Sequence, residues 1–124
     1  MREILRKLDE WGCDWKGALG RFLGDEDLYV SCLFMLIEDP AFERLGEELR
    51  KNRTGDAFSS AHTLKGAIAN MGITPMFDTV TKLVEPLRRE EQPDLQRLLS
   101  LYRQLLDENG HLKELLAASG EERP

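Results

Sequence analysis

The chain has 124 residues, of which 41% are hydrophobic and 32% are charged. This length suits one domain with its own core, and the composition is too apolar for a disordered chain. Its 17 lysines and arginines are outnumbered by 23 aspartates and glutamates, and the resulting charge of -6 would repel a nucleic-acid backbone. No apolar run approaches the roughly 20 residues that span a bilayer, and no signal-peptide core begins the chain. We therefore expect one cytoplasmic domain that binds neither nucleic acid nor membrane.

Glycine, proline and aspartate residues that commonly end or begin helices divide the sequence into helix-length segments. No segment shows the period-two alternation of a strand, and this predicts an all-α fold. The predicted helices run from Asp14 to Phe22, Asp25 to Glu38, Pro40 to Arg50, Asp56 to Gly72, Thr74 to Glu90, and from Pro93 onwards. Gly110 is a candidate kink in the last helix. Because the connections are short, we expect an antiparallel up-and-down four-helix bundle made of the last three helices and one earlier helix. The short N-terminal helices would cover one end.

These boundaries predict a single domain over residues 1–124, with the bundle core at about 26–117. Residues 119–124 are polar and are expected to be a frayed tail. Nothing in the pattern requires a second copy of the chain, so we expect a monomer.

The cysteines and histidines do not form a recognisable metal or disulfide pattern. Cys13 and Cys32 are too few for a disulfide framework and lack the paired spacing of a zinc site, so we expect reduced thiols. A site built on His62 and His111 would need further ligands that the sequence does not provide at any known spacing. No metal or cofactor is therefore expected, and His111 is interpreted as a surface or capping residue.

The helix predicted over residues 56 to 72 presents a cleared surface around one histidine. At about 100° per residue, one stripe of this helix faces the core: Ala57, Ala61, Leu64, Ile68 and Met71. His62 projects from nearly the opposite side, where Ser59, Gly66 and Ala69 are all small. A glycine inside a helix lowers helix stability by about 1 kcal/mol relative to alanine. A need for another protein to approach this surface closely would explain why a glycine occupies position 66.

This cleared surface suits phosphoryl transfer. An imidazole side chain has an ordinary pKa of about 6.5, so it is largely neutral at pH 7 and offers a nucleophilic ring nitrogen. Lys65 lies one turn beyond His62 and brings a compact positive charge to the place where phosphate oxygens would gather. Positioning and charge stabilisation are what phosphoryl transfer mainly requires.

The segment Ala61–Gly72, AHTLKGAIANMG, closely resembles the signature of histidine phosphotransfer (HPt) domains. In that signature a histidine is followed by x-x-Lys-Gly, and a further glycine closes the helix. The resemblance extends upstream through Ala18–Tyr29 and downstream into Leu83–Arg89, covering about residues 14 to 117.

The resemblance implies an exposed phosphoacceptor histidine on a four-helix bundle, which exchanges phosphoryl groups with the aspartate of a response-regulator receiver domain. His62 matches the acceptor, Lys65 the lysine that assists the phosphate, and Gly66 the glycine that leaves room for the receiver. The Mg²⁺ of such transfers belongs to the receiver. The implied partners are therefore a receiver domain, a hybrid sensor kinase, or both.

Two features depart from the family pattern or limit it. Some HPt domains place a glutamine near the histidine, at the position of Val84, which cannot form that hydrogen bond. The group that orients His62 is therefore unassigned. The chain also lacks a glycine-rich ATP-binding sequence, so we expect a relay that does not phosphorylate itself. Besides Lys65, the nearby cations Lys82, Arg88 and Arg89 are further candidates for contact with an acidic receiver.

Two other functions compete with phosphotransfer. One is a binding-only module that keeps the bundle and the docking face and inhibits a receiver or kinase. The other is a hydrolase with His62 as general base, but no serine or cysteine nucleophile or oxyanion motif accompanies the histidine. A relay histidine is expected on an open surface, whereas a general base is expected in a cleft.

Overall fold

A computed structural model describes the whole chain, residues 1–124, as seven helices and no strands. The helices are α1 (Glu3–Glu10), α2 (Trp15–Arg21), α3 (Glu26–Ile37), α4 (Ala41–Arg50), α5 (Thr54–Met71), α6 (Thr74–Arg89) and α7 (Leu95–Ala118). This confirms the all-α prediction, and α2–α7 begin and end close to the predicted residues. The last helix is continuous across Gly110. None of the seven combines the length and apolar character that crossing a membrane requires.

The last four helices form the predicted antiparallel bundle. Helix α4 packs against α5, α5 against α6, α6 against α7, and α7 back against α4, which closes the ring. Each helix turns an apolar stripe inward, and each stripe includes a fully buried side chain: Leu45, Leu64, Leu83 and Leu105. Burial of one such leucine contributes about 1.5–3 kcal/mol, so these stripes are the main stabilising feature of the bundle.

Helices α1, α2 and α3 lie at the end of the bundle where α5 and α7 terminate. There α2 and α3 pack against α5, while α1 and α3 pack against α7. Helix α1 was not among the predicted elements, because it is only eight residues long and no N-cap side chain marks its start. The pattern that indicates this helix in the sequence is the helical spacing of Ile4, Leu5 and Leu8, all of which are buried. So short a helix is marginal alone and depends on this packing.

The segment predicted to fray is non-helical but carries two tertiary contacts. Arg2 donates two hydrogen bonds to the carboxylate of Glu121, at 2.8 and 2.7 Å. Arg123 forms an ion pair with Glu38. The N- and C-terminal segments are therefore joined across the end of the bundle.

Cys13 and Cys32 are both free thiols. Burial raises the pKa of Cys13 to about 12, so this thiol stays protonated at neutral pH. A protonated, buried thiol is a poor nucleophile, and Cys13 acts as a small apolar core residue.

A partly buried carboxylate connects α6 and α7. The Oε2 atom of Glu108 accepts a hydrogen bond from the Thr79 hydroxyl at 2.9 Å and from the Gln104 amide at 3.3 Å. The other carboxylate oxygen, Oε1, is buried without a partner. Burial raises the pKa of Glu108 above its ordinary range, so folding favours the protonated form.

This arrangement predicts the effect of Glu108→Gln. As pH rises from below the ordinary glutamate pKa of about 4.3 through the higher folded-state pKa, the wild type loses the stability that protonated Glu108 contributes. We expect the variant to match the wild type near pH 4 and to exceed it at pH 7 by about 0.5 kcal/mol in free energy of unfolding, measured by urea denaturation. The control is Glu114→Gln, at an exposed position of the same helix. An equal pH-dependent gain in both variants would contradict the role of burial.

Candidate functional site

Helix α5 carries His62 and is held on both sides by the bundle. Its predicted core stripe is buried. The opposite face of the helix, which carries His62, Thr63 and Gly66, is exposed to solvent. From α4, Glu48 accepts a hydrogen bond from the hydroxyl of the buried Ser60 at 2.6 Å. The helix is thus fixed in rotation, with His62 pointing away from the core.

The C-terminal end of α5 is held by the N-terminal helices. The Tyr29 hydroxyl of α3 donates a 2.8 Å hydrogen bond to the Met71 carbonyl. The Arg21 guanidinium of α2 donates to the carbonyls of Ala69 and Asn70, at 3.0 and 2.8 Å. For Asn70 and Met71, these donors satisfy carbonyl groups that a helix end leaves without intrahelical partners. The Ala69 carbonyl also accepts a hydrogen bond from the Gly72 N–H. Two turns beyond His62, the backbone is therefore anchored to α2 and α3.

The surface around His62 is open on the side predicted to be bare. Ser59, Gly66 and Ala69 are all exposed. Apart from its chain neighbours and the backbone of its own helix, a Cβ atom at Gly66 would meet no atom within 4 Å, so packing against other elements does not require a glycine there. By contrast, a Cβ atom at Gly46 would collide with the ring of Tyr102. The room above Gly66 is available to an external molecule.

On its other side, the His62 ring is not bare. It stacks on Phe58, one turn earlier in α5, with ring centroids 5.7 Å apart and an interplanar angle of 18°. The Arg88 guanidinium of α6 lies over the same Phe58 ring, 5.6 Å from its centroid. The sequence contained one signal for this contact, an aromatic residue four positions before the histidine on a helix. The contribution of Arg88 could not be predicted from that spacing.

Lys65 lies at the junction of α5 and α6. Its Nζ atom is 5.8 Å from the centroid of the half-buried Phe77 ring of α6. The aliphatic stem of a lysine can cover apolar surface while the ammonium group remains in water. Lys65 therefore sits between the open face of α5 and an aromatic side chain that was not among the predicted site residues.

Other side chains predicted near the site are distributed along α6. Val84 is fully buried, and its side chain has no polar atom to orient the imidazole. Lys82 and Arg89 line a groove beside the start of α7 together with Arg97. His111, on α7, is exposed and contacts the Trp11 ring edge to face at 4.6 Å, away from α5.

His62 lines none of the four main surface clefts of the molecule. Two clefts reach α5 beyond it, one of about 200 Å³ lined by Ala69, Phe77 and the α5–α6 turn, and one of about 220 Å³ lined by Ala67 and residues of α3. The imidazole stands on an open helix surface, which is the geometry expected of a group that meets a second macromolecule and not a small substrate.

Comparison with known families identifies the class of this protein. The Hpt domain family matches residues 39–121, which is more than half of the chain and includes α4–α7 and His62. The chain therefore belongs to the Hpt domain family, which confirms the resemblance. Membership implies histidine phosphotransfer in phosphorelays, where Hpt domains interact with receiver or kinase domains. Searches of curated proteins and of solved structures give no match.

Proposed function

We propose that this protein relays a phosphoryl group between receiver-domain aspartates through phospho-His62. The observation that carries the proposal is the exposed imidazole on an anchored helix, beside a glycine whose Cβ position is empty. A solvated surface histidine requires neither the anchoring nor the empty space. Family membership supports the same role.

The proposed reaction is a pair of opposite displacements at phosphorus. In the first, the lone pair of a neutral imidazole nitrogen of His62 attacks the phosphorus of an aspartyl phosphate. An N–P bond forms, the P–O bond to the aspartyl oxygen breaks, and its electron pair remains on the released carboxylate. In the second, a carboxylate oxygen of another receiver attacks the phosphohistidine, and the imidazole leaves with the electron pair of the N–P bond.

The neighbouring side chains have distinct proposed roles. Lys65 stabilises the negative charge on the transferring phosphoryl oxygens, and this is why a flexible ammonium group suits that position. Gly66, with Ser59 and Ala69, forms the small-residue face on which the receiver docks. The Mg²⁺ required by the receiver is held by the receiver's own acidic residues, and no cofactor is assigned to this chain.

The proposal is tested by phosphotransfer profiling. The chain is incubated with each receiver domain of the same cell, carrying radiolabelled phosphate on its aspartate. We expect label to move to this chain within minutes from one or a few receivers, as an acid-labile and alkali-stable adduct in the peptide containing His62. A receiver that binds tightly but never transfers label would favour the binding-only alternative. Hydrolysis of a small ester abolished by His62→Gln would instead favour the hydrolase.

Replacing Gly66 by leucine tests whether the empty space receives the receiver. A Cβ atom at this position meets no other element of the chain, and leucine favours a helix more than glycine does, so the free energy of unfolding should not fall. It would displace a docked receiver by an ångström or more, and we expect the rate of transfer from the receiver to fall about 100-fold.

Two comparisons isolate this effect. Phosphoramidate, a small phosphoryl donor, needs no docking face and should label Gly66→Leu at the wild-type rate. Gly110→Leu is the matched control, because Gly110 also lies inside a helix with no atom within 4 Å of its Cβ position, but on α7. Equal loss in both variants would contradict a docking role for Gly66.

A further inference from the structure

We infer that Phe58, backed by Arg88, is a positioning residue that orients the imidazole of His62 for reaction. This inference rests on the proposed function, but it concerns a contact that the proposed function does not use. It also addresses the question left by Val84, whose buried apolar side chain cannot hold the ring.

His62 has no polar group to orient its ring. The hydroxyl groups of Ser59 and Ser60 on α5 form hydrogen bonds, whereas the side chains of His62 and its neighbour Thr63 form none. An exposed imidazole without a partner is free to rotate about its two side-chain torsions. Only a fraction of its orientations would then present a ring nitrogen to an incoming phosphorus atom, and this fraction lowers the reaction rate.

The His62 and Phe58 rings stack in a defined geometry. A centroid separation of 5.7 Å with nearly parallel planes is an offset stack, one of the arrangements that aromatic pairs prefer. Phe58 is half-buried and packs against the core cluster. Its ring is therefore a fixed surface, and stacking on it restricts the His62 ring to one plane.

Arg88 connects the Phe58 ring to α6. Its guanidinium lies over the Phe58 ring and pairs loosely with Glu85, at 3.9 Å. A guanidinium over an aromatic face is attracted by the negative charge density of the ring. Arg88 thus ties Phe58, on α5, to α6. The His62 ring, the Phe58 ring and the Arg88 guanidinium therefore form one connected set. Through this set, α6 supports the orientation of His62 indirectly.

The experiment compares three variants with the wild type. Phe58→Leu keeps the apolar volume but removes the ring, Phe58→Tyr keeps the ring, and Arg88→Gln removes the cation. Arg103→Gln is the matched control, since it removes an exposed arginine from a neighbouring helix, α7, that does not lie over Phe58. The first readout is the NMR shift of the His62 ring protons, which the ring current of a stacked Phe58 moves. The second is the rate of His62 phosphorylation by phosphoramidate.

In that reaction an imidazole nitrogen forms the N–P bond while the P–N bond of phosphoramidate, which is protonated on nitrogen at neutral pH, breaks and ammonia leaves with the electron pair of that bond. We expect Phe58→Leu to lose the ring-current shift and to react about threefold to tenfold more slowly, in line with the strength of aromatic pairs. Phe58→Tyr should retain both values. Arg88→Gln should lose about half of each effect, and Arg103→Gln should lose nothing.

The outcomes separate this inference from the proposed function. A wild-type ring-current shift in Phe58→Leu would overturn the stack, and a lost shift with an unchanged rate would overturn its positioning role. If the wild type shows the ring-current shift but accepts no phosphoryl group from any receiver, the proposed phosphorelay function is wrong, whereas the stack of His62 on Phe58 is confirmed. Because the rate uses a small donor, a defect in receiver docking cannot produce the expected loss.

Discussion

His62→Gln is expected to accept no phosphoryl group from any donor while remaining folded. A glutamine amide has similar size and polarity, but its nitrogen lone pair is delocalised into the carbonyl and does not attack phosphorus. The side chain at this position is exposed and forms no hydrogen bond, so its main loss is the stack on Phe58, and we expect the free energy of unfolding to fall by about 0.5–1.5 kcal/mol. Labelling by a phosphorylated receiver and urea denaturation measure the two quantities.

The matched control is His111→Gln. His111 is the other histidine of the chain and is also exposed on a helix, but that helix is α7, where the ring contacts Trp11. This variant should be labelled at the wild-type rate. Labelling of His62→Gln to the wild-type level would show that the phosphoryl group resides elsewhere, and loss of labelling in both variants would contradict the assignment of one acceptor.

Gly72→Ala is expected to lower the free energy of unfolding by about 3 kcal/mol. Gly72 ends α5 in the left-handed conformation, with φ at 74°, which costs an L-residue about 1–2 kcal/mol. A Cβ atom there would also collide with the backbone carbonyl of Asp14. The neighbouring hydrogen bond from the Asp14 N–H to the Gly72 carbonyl, at 2.8 Å, leaves little freedom for this backbone to move. Urea denaturation measures the loss.

Gly24→Ala separates the two causes. Gly24 has nearly the same φ, 78°, but nothing lies within 4 Å of its Cβ position. This variant therefore carries only the conformational cost, and we expect a loss of about 1–2 kcal/mol. Equal losses at the two positions would mean that the contact between Gly72 and Asp14 contributes nothing to the stability of the helix end.

The helical elements and the exposure of His62 could be predicted because both depend on local sequence. An apolar stripe with a period of 3.6 residues defines the inner face of a helix, and it therefore defines the outer face as well. Caps such as Asp14 and Asp25, which accept hydrogen bonds from the first turns of α2 and α3, mark where helices begin. Helix α1 has no such cap, and packing against the end of the bundle decides its existence.

The support of the site could not be predicted in the same way. Phe58 and Arg88 are 30 residues apart in the sequence and meet only because α5 and α6 pack side by side. Likewise, Arg21 and Tyr29 reach the end of α5 only after α2 and α3 have docked there. Such contacts depend on the angles between helices and on side-chain rotamers, which the sequence encodes through the whole core and not through any local pattern.

The sequence by itself determined the all-α class, the position of His62 opposite a buried stripe and the small residues beside it, because helical periodicity relates each residue to its neighbours one turn away. Only the tertiary structure decided what holds that histidine. It placed Phe58 against the imidazole, Arg88 over Phe58 and Lys65 over Phe77, since a side chain from a second helix enters a site only when the two helices pack together.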